Sequence, residues 1–156
     1  MKFCDLTIDM PNEFRQDESL VSFTAVPSKN LQTGLAMQKQ TPIRPNLTMH
    51  RKQVVKKDSL DTITGKMCAE IASSNPDILN LTVESMVFDD GTPGSVIAFD
   101  CRIRNVTLRQ YQAIRLSHPW LITITLTVDA SRITDASAST YLDCLRSCRL
   151  TPDASN

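Results

Sequence analysis

The chain has 156 residues, enough for one domain with a substantial buried core. Its 17 lysines and arginines balance its 17 aspartates and glutamates, so no net field attracts the protein to nucleic acid or to an anionic membrane. The N-terminal residues include acids and no uninterrupted apolar run, so we expect neither a signal peptide nor a membrane anchor there.

The first third of the chain contains short extended pieces separated by turn-forming residues. They are predicted over about residues 3–9, 20–26 and 34–39, with proline or glycine at their borders. The next segment, 41–57, carries two prolines and six basic residues, counting His50, and has no clear apolar period. We therefore expect an exposed basic loop over 41–57.

A helix is predicted within residues 58–76, DSLDTITGKMCAEIASSNP. Asp58 or Ser59 can cap its start, and Pro76 forces its end. Gly65 costs about 1 kcal/mol relative to alanine in a helix interior, so it indicates either close packing or a tolerated weakness. The helix carries an apolar stripe at helical spacing, formed by Leu60, Ile63, Met67 and Ile71.

After Pro76 the apolar period changes to two, which predicts an antiparallel meander of four strands. These strands are expected at about residues 79–89, 95–104, 107–116 and 120–129. A second helix follows, with Asp135 or Ser137 as its cap, and the tail 151–156 should be disordered. The order of elements predicts one α+β domain over residues 1–150, a twisted antiparallel sheet with flanking helices.

Two glutamines interrupt an otherwise apolar strand face. In VTLRQYQAIRL, residues 106–116, Gln110 and Gln112 share the parity of Leu108 and Ile114. A buried amide without a partner costs about 1 to 3 kcal/mol. The two amides therefore either meet water on a half-covered face or bond a partner in a groove. The strand that follows presents a threonine-lined face of its own, formed by Thr123, Thr125 and Thr127.

Groups that could carry catalysis or bind metal are sparse in the sequence. His50 and His118 are not at ligand spacing from other ligands, and Cys144 and Cys148 lack a second cluster. No phosphate-binding glycine motif or nucleophile motif occurs, and the Asp89–Asp90 pair is typical of a turn. We expect a non-enzymatic binding module without cofactor or metal. The cysteines form an odd set without C-x-x-C spacing, typical of reduced cytoplasmic thiols: Cys4, Cys68, Cys101, Cys144 and Cys148.

Several short motifs occur in a fixed order along nearly the whole chain. They are TIDMPNEFRQDES (7–19), NPDILNLTVES (75–85), the Q-x-Q pattern of RNVTLRQYQAIRL (104–116) and ITITLTVDAS (122–131). Together with the order of elements, they resemble the Eag-type chaperones, small cytoplasmic adaptors of bacterial type VI secretion. The resemblance implies the α/β sandwich of the DcrB and PsbP-like domains.

The resemblance also implies a function. Eag-type chaperones bind the hydrophobic N-terminal transmembrane segments of toxic effectors, as homodimers, and keep them soluble until they are loaded onto the secretion spike protein. In this interpretation glutamines bond polar helix surface while apolar side chains bury the rest, and the chaperone itself neither inserts into the membrane nor binds nucleic acid. The implied effector-binding groove is lined by Val21, Phe23, Ile63, Met67, Leu108, Gln110 and Gln112.

Two alternatives keep the sandwich and change the function. A PsbP-like interaction domain would bind a soluble partner through the basic loop, using Arg51, Lys52, Lys56 and Lys57. A small-ligand or hydrolytic α+β domain would instead need a closed polar pocket with paired titratable groups.

Overall fold

A computed structural model describes residues 2–3, 6–9, 14–16, 22–25, 43–54, 57–74, 76–103 and 105–150. These residues form a seven-stranded antiparallel sheet, a small three-stranded sheet and two helices. The predicted α+β class, an antiparallel sheet with flanking helices, is confirmed. The extended piece expected at 34–39 and the tail 151–156 lie outside the described residues.

The large sheet has the strand order β3-β4-β5-β9-β8-β7-β6, and the small sheet has the order β1-β2-β10. The strands are β1 (Lys2–Phe3), β2 (Leu6–Thr7), β3 (Phe14–Gln16), β4 (Ser22–Ala25), β5 (Asn46–Gln53), β6 (Ile78–Val87), β7 (Pro93–Ile103), β8 (Val106–Ser117), β9 (Trp120–Asp129) and β10 (Arg149–Leu150). The helices are α1 (Leu60–Ser74) and α2 (Asp135–Arg146), and a 3-10 turn spans Ala130–Arg132.

The meander predicted after Pro76 is present as β6 to β9, with strand bounds within a few residues of those expected. β7, β8 and β9 pair with one another without interruption. β6 pairs with β7 through a register shift between Leu79 and Thr82, where Asn80 has a positive φ of 53°. Beyond this irregularity, β6 pairs with β7 in continuous register from Thr82 to Val87.

Strand β5 corrects the expectation of an exposed loop over 41–57. It pairs with β9 along all of its eight residues and lies inside the sheet, between β4 and β9. Leu47 and Met49 are buried, whereas Thr48 and His50 are exposed. This period-two alternation covers only a few positions before the basic residues begin. The basic composition of 41–57 therefore led to the prediction of a loop instead of a strand.

The two faces of the large sheet belong to different clusters, and we call them the α1 side and the α2 side after the helix on each. The α2 side holds the larger core, in which strand residues such as Leu47, Val96 and Ile124 meet Cys144 and Leu145 of α2. The α1 side holds a smaller core of seven buried residues: Ile63, Ile97, Phe99, Cys101, Leu108, Ile114 and Leu121.

Helix α1 begins at the cap that the sequence predicts. Ser59 Oγ accepts a hydrogen bond from the Thr62 backbone N–H at 3.2 Å, so Ser59 is the capping residue of the two candidates. The apolar stripe faces the sheet, with its main contacts on β6, β7 and β8. A methyl group added at Gly65 would meet no atom within 4 Å, so close packing does not require this glycine.

Helix α2 corrects the predicted cap. Thr134, rather than Asp135 or Ser137, is the N-cap: its backbone is extended and its hydroxyl accepts from the Ser137 N–H at 3.2 Å. The Ser137 hydroxyl in turn accepts from the Thr134 N–H at 2.9 Å, which completes a capping box. Thr134 and Asp135 both have side chains that can cap a helix. The extended backbone at Thr134 makes it the N-cap.

Candidate protein-binding surface

Two rows of polar residues cross β8, β9 and β5 on the α1 side. One row consists of Gln110, Thr127 and Asn46, and the adjacent row of Gln112, Thr125 and Thr48. Residues paired directly across antiparallel strands lie on one face about 5 Å apart, so the two rows form a continuous surface. We call these six residues the amide–threonine patch: Asn46, Thr48, Gln110, Gln112, Thr125 and Thr127.

The amide–threonine patch is accessible to solvent. Thr48 is exposed and the other five residues are half-buried. The alternate residues of the same strands, Tyr111, Ala113 and Leu126 among them, are buried on the α2 side. At the patch, the three strands are thus buried on the α2 side and partly accessible to solvent on the α1 side.

The two glutamine side chains form no hydrogen bond with any residue that the structure describes. Because both are half-buried rather than sealed, water satisfies their carboxamides in the free protein. A partner that displaces this water without replacing its hydrogen bonds would lose affinity. The patch therefore favours a partner surface that carries some polar groups.

Buried apolar side chains border the patch on the α1 side. Phe99 and Ile97 of β7 pair with Gln110 and Gln112 and pack under α1. Leu108 precedes the glutamines along β8, and it is buried in the same cluster. These residues supply a rigid margin of the patch, and little of their apolar surface faces solvent.

Five of the seven groove residues predicted from the resemblance lie together on the α1 side: Ile63, Met67, Leu108, Gln110 and Gln112. Ile63 and Leu108 are buried in the core beneath α1, and Met67 is half-buried against it. Only Met67 and the two glutamines therefore retain surface that a partner can contact.

The other two predicted groove residues lie in the N-terminal part. Phe23 has Leu47 as its register partner in β5, and the Leu47 side chain belongs to the α2-side core. The strand position of Phe23 is therefore on the opposite face from the glutamines. Val21 lies outside the described residues.

Sequence reasoning missed the two residues that β5 contributes to the patch, Asn46 and Thr48. The period-two pattern of NLTM was the available signal. Its significance depends on pairing with β9, which joins segments about 75 residues apart in sequence.

On the α2 side, Arg115 forms a buried hub that the sequence did not reveal. Its side chain is 4% exposed and donates to Asp90 Oδ2 at 2.7 Å, to Thr92 Oγ1 at 2.9 Å and to the Cys148 carbonyl at 3.0 Å. The guanidinium carbon lies 5.3 Å from the centroid of the Phe88 ring. Arg115 thus ties β8 to the β6–β7 turn and to the segment that follows α2.

The carboxylates of this side are matched to cations. Desolvation raises the pKa of Asp90, but hydrogen bonds from Arg115 and Thr92 outweigh it, and the net pKa lies below its ordinary value. Desolvation likewise raises the pKa of Asp100, and hydrogen bonds from Arg109 and Asn80 lower it overall. Ionised, partnered carboxylates of this kind stabilise the fold and do not form an acid–base pair.

Three thiols of the described residues, those of Cys68, Cys101 and Cys148, are poor nucleophiles. Burial raises the pKa of Cys148 to about 12, and the nearby Arg115 charge offsets only part of this effect. Burial also raises the pKa of Cys68 and Cys101. A reactive cysteine needs the thiolate form near neutral pH, which these environments disfavour. Within the described ranges, no cluster of three or more histidine, cysteine or acidic side chains could hold a metal ion.

A half-open pocket of about 180 Å³ lies where β9 meets the start of α2. Its two charged lining residues, Asp129 and Arg132, pair with each other at 3.8 Å. Ligand sites usually enclose about 300 to 1,000 Å³. The pocket is smaller and more open than the closed polar site that a small-ligand or hydrolytic domain would need. The remaining lining residues are Ile43, Pro45, Val128, Ile133 and Tyr141.

No protein-family model matches the sequence, and no curated protein matches it. Solved structures do match the fold. A Pseudomonas aeruginosa protein of unknown function superposes with a TM-score of 0.63 at 12% identity, over 96% of this chain and 99% of that chain. The cyanobacterial PsbP protein of Synechocystis gives a TM-score of 0.53 at 14% identity, over 96% and 94%. The Ran-binding protein Mog1p of Saccharomyces cerevisiae gives 0.51 at 12% identity, over 91% and 81%.

The fold is the PsbP-like and Mog1-like sandwich. At identities this low, the likeness establishes the architecture and leaves the function to the chain's own residues. Among the described residues, no helix combines the length and apolar character needed to cross a membrane.

Proposed function

We propose that this protein is a cytoplasmic, homodimeric chaperone of type VI secretion. It binds the hydrophobic N-terminal transmembrane segments of an effector and shields them until the effector is loaded onto the secretion spike. No catalysis is part of this role. The observation that carries the proposal is the amide–threonine patch, a solvent-accessible polar surface in the middle of a sheet whose opposite face holds the larger buried core.

The chemistry of the patch suits a largely apolar helix with scattered polar groups. None of its six side chains is ionised, so covering the patch removes no charge from water. Carboxamides and hydroxyls both donate and accept hydrogen bonds, which lets them pair with serine, threonine or backbone groups on a helix surface. The adjacent Met67 offers an adaptable thioether for apolar side chains.

The fold supports a binding role of this general kind. Mog1p, which shares the sandwich, is a Ran-binding protein. The sequence resemblance to Eag-type chaperones supplies the nature of the partner, and the patch supplies a surface on which that partner can be seated.

The test is coexpression of this chain with the N-terminal segment of the effector encoded beside it. The patch variant combines Gln110→Ala, Gln112→Ala and Thr125→Lys. We expect this variant to lose at least tenfold of the effector segment that copurifies in the soluble fraction, because the lysine places a charge where an apolar helix must pack.

Thr107→Lys is the matched control. Thr107 is exposed on β8, and its register partner Arg102 shows that it belongs to the opposite face from the glutamines. This variant should keep full solubilisation. A folded patch variant that solubilises the segment as well as the native chain does would overturn the proposal.

A PsbP-like interaction domain that binds through basic residues remains the second candidate, because Lys52 and Lys57 are exposed. Arg51 is partly engaged, with its guanidinium carbon 4.4 Å from the Trp120 ring centroid, and Lys56 lies outside the described residues. Replacing Lys52 and Lys57 by glutamine in the same coexpression assay separates the two functions. Loss of binding with an intact patch would favour the second.

A further inference from the structure

The face that carries the amide–threonine patch continues along β5 beyond the patch. Four polar residues alternate along this strand and share a face: Asn46, Thr48, His50 and Lys52. Lys52 has Leu121 as its register partner in β9, and the Leu121 side chain belongs to the α1-side core. His50 and Lys52 are both exposed. The α1 side of β5 therefore changes along its length from uncharged polar groups to a lysine.

Formal charges stand at both ends of this face of β5, β8 and β9, and they differ in how they are matched. At one end Asp129, the register partner of Leu108, accepts hydrogen bonds from the Ser131 backbone N–H at 3.0 Å and from its hydroxyl at 2.7 Å. The other carboxylate oxygen of Asp129 lies 3.8 Å from Arg132 Nε. At the opposite end, the Lys52 side chain has no ion pair or hydrogen bond among the residues whose positions are described. The unmatched charge on this face is therefore positive and lies at one end.

The distance from the patch to Lys52 is close to half the length of a membrane-spanning helix. Lys52 follows Leu47, the middle of the β5 positions at the patch, by five residues, which is about 17 Å along a β-strand. A transmembrane helix of about 20 residues is about 30 Å long, so half of it is about 15 Å. Helix α1 packs over β6, β7 and β8, which leaves the strip over β9 and β5 for an occupant that lies along the strands. A transmembrane helix centred on the patch would therefore end beside Lys52.

We propose that the effector segment carries an acidic residue at the end that lies beside Lys52, and that this pair sets which segments bind and in which direction. The inference rests on the proposed function, in which the patch holds the apolar body of the segment. An acidic side chain just outside the apolar stretch meets an unpaired ammonium, whereas a lysine or arginine there meets a like charge. The pair is exposed to solvent, so its effect is a preference among segments, and salt weakens it.

Three synthetic peptides test the preference. Each is a capped helix of about 20 residues built from alanine, leucine and serine, labelled with a fluorophore at its N-terminus, and each ends in two glutamates, two lysines or two serines. Fluorescence anisotropy measures their affinity for the purified chain. We expect the glutamate peptide to bind about fivefold more tightly than the lysine peptide at low salt. The difference should shrink to less than about twofold at 0.5 M salt.

Charge reversal on the protein locates the effect. Lys52→Glu should reverse the order of the glutamate and lysine peptides, because it places a carboxylate beside the end of the segment. Comparing protein variants with the same two peptides cancels any difference in peptide helicity. Arg102→Glu is the matched control for the change of charge. Arg102 is exposed on β7 and lies on the opposite face, since its neighbour Cys101 is buried on the α1 side. This control should keep the native order.

The serine peptide separates the inference from the proposed function. If it binds and the glutamate and lysine peptides bind equally well, the inference is overturned and the patch stands. Lys52 would then only protect its strand from pairing with other strands. If no peptide binds, both proposals fall. If the glutamate peptide alone binds, both also fall, and the second candidate function, in which basic residues hold the partner without the patch, takes their place.

Discussion

On the α2 side, strand β8 contributes Tyr111 and Ala113 to a core closed by α2, whereas on the α1 side the same strand presents Gln110 and Gln112 to solvent. The backbone and the hydrogen-bond ladder are common to both faces. The difference therefore comes from side-chain parity and from what covers each face. Helix α1 packs mainly over β6, β7 and β8, and the face beyond it is built from polar residues.

The comparison teaches that, from β8 towards β5, the two faces of this sheet differ in chemistry. Residues of one parity form a core with matched charges and buried rings. Residues of the other parity, from β8 towards β5, form the amide–threonine patch, whose polar side chains can remain in contact with water in the free protein. Substitutions on the α2 side should therefore cost stability, while those in the amide–threonine patch should affect partner binding.

The largest stability loss is expected from Arg115→Met. The change removes a buried guanidinium from its bonds to Asp90, Thr92 and the Cys148 carbonyl. We expect the free energy of unfolding to fall by about 3 kcal/mol, the lower end for breaking a buried ion pair, because Asp90 keeps contact with water. Urea denaturation followed by circular dichroism measures the change.

Arg146→Met is the control for this loss. It makes the same chemical change at an exposed ion pair, in which Arg146 Nη1 lies 2.9 Å from Asp143 Oδ1. A cost below about 0.5 kcal/mol is expected for a helical surface pair. Equal costs for the two variants would contradict the view that the Arg115 hub closes the α2 side.

Two glycines should respond in opposite directions to alanine. A methyl group at Gly94 would lie 2.8 Å from the Ile114 carbonyl oxygen and would also collide with the Phe88 ring, so overpacking should cost about 1 to 3 kcal/mol. A methyl group at Gly65 meets open space on α1 and should stabilise the helix by about 0.5 to 1 kcal/mol. Thermal denaturation of both variants checks the signs. A stabilising Gly94→Ala would show that the α2-side core has room that the structure denies it.

The sequence predicted those elements whose evidence is local. Period-two alternation located β6 to β9, and the helical stripe from Leu60 to Ile71 located α1. The predicted cap of α2, Asp135 or Ser137, was wrong: the N-cap is Thr134, which also has a capping side chain. Backbone geometry, which distinguishes them, is not encoded in residue type alone.

The remainder depends on contacts between distant segments. The hub at Arg115 joins the turn at Asp90 to Cys148. These three residues are far apart in the sequence, and no local pattern around any one of them indicates the other two. Strand β5 is stabilised by its pairing with β9. The sequence of 41–57 does not reveal this pairing, and its basic residues therefore favoured a loop. Parity located the glutamines of the patch, but Asn46 and Thr48 could be added only once the strand order was known.

The smallest effect on stability, and the one that sharpens the comparison most, is expected from replacing both patch glutamines by leucine. Neither carboxamide bonds to a residue that the structure describes, and both meet water, so Gln110→Leu with Gln112→Leu should change the free energy of unfolding by less than about 0.5 kcal/mol. The urea midpoint and slope give this value. A loss above about 2 kcal/mol would mean that the amides are bonded within the fold. In that case both faces are closed, and the patch is part of the core rather than a surface for a partner.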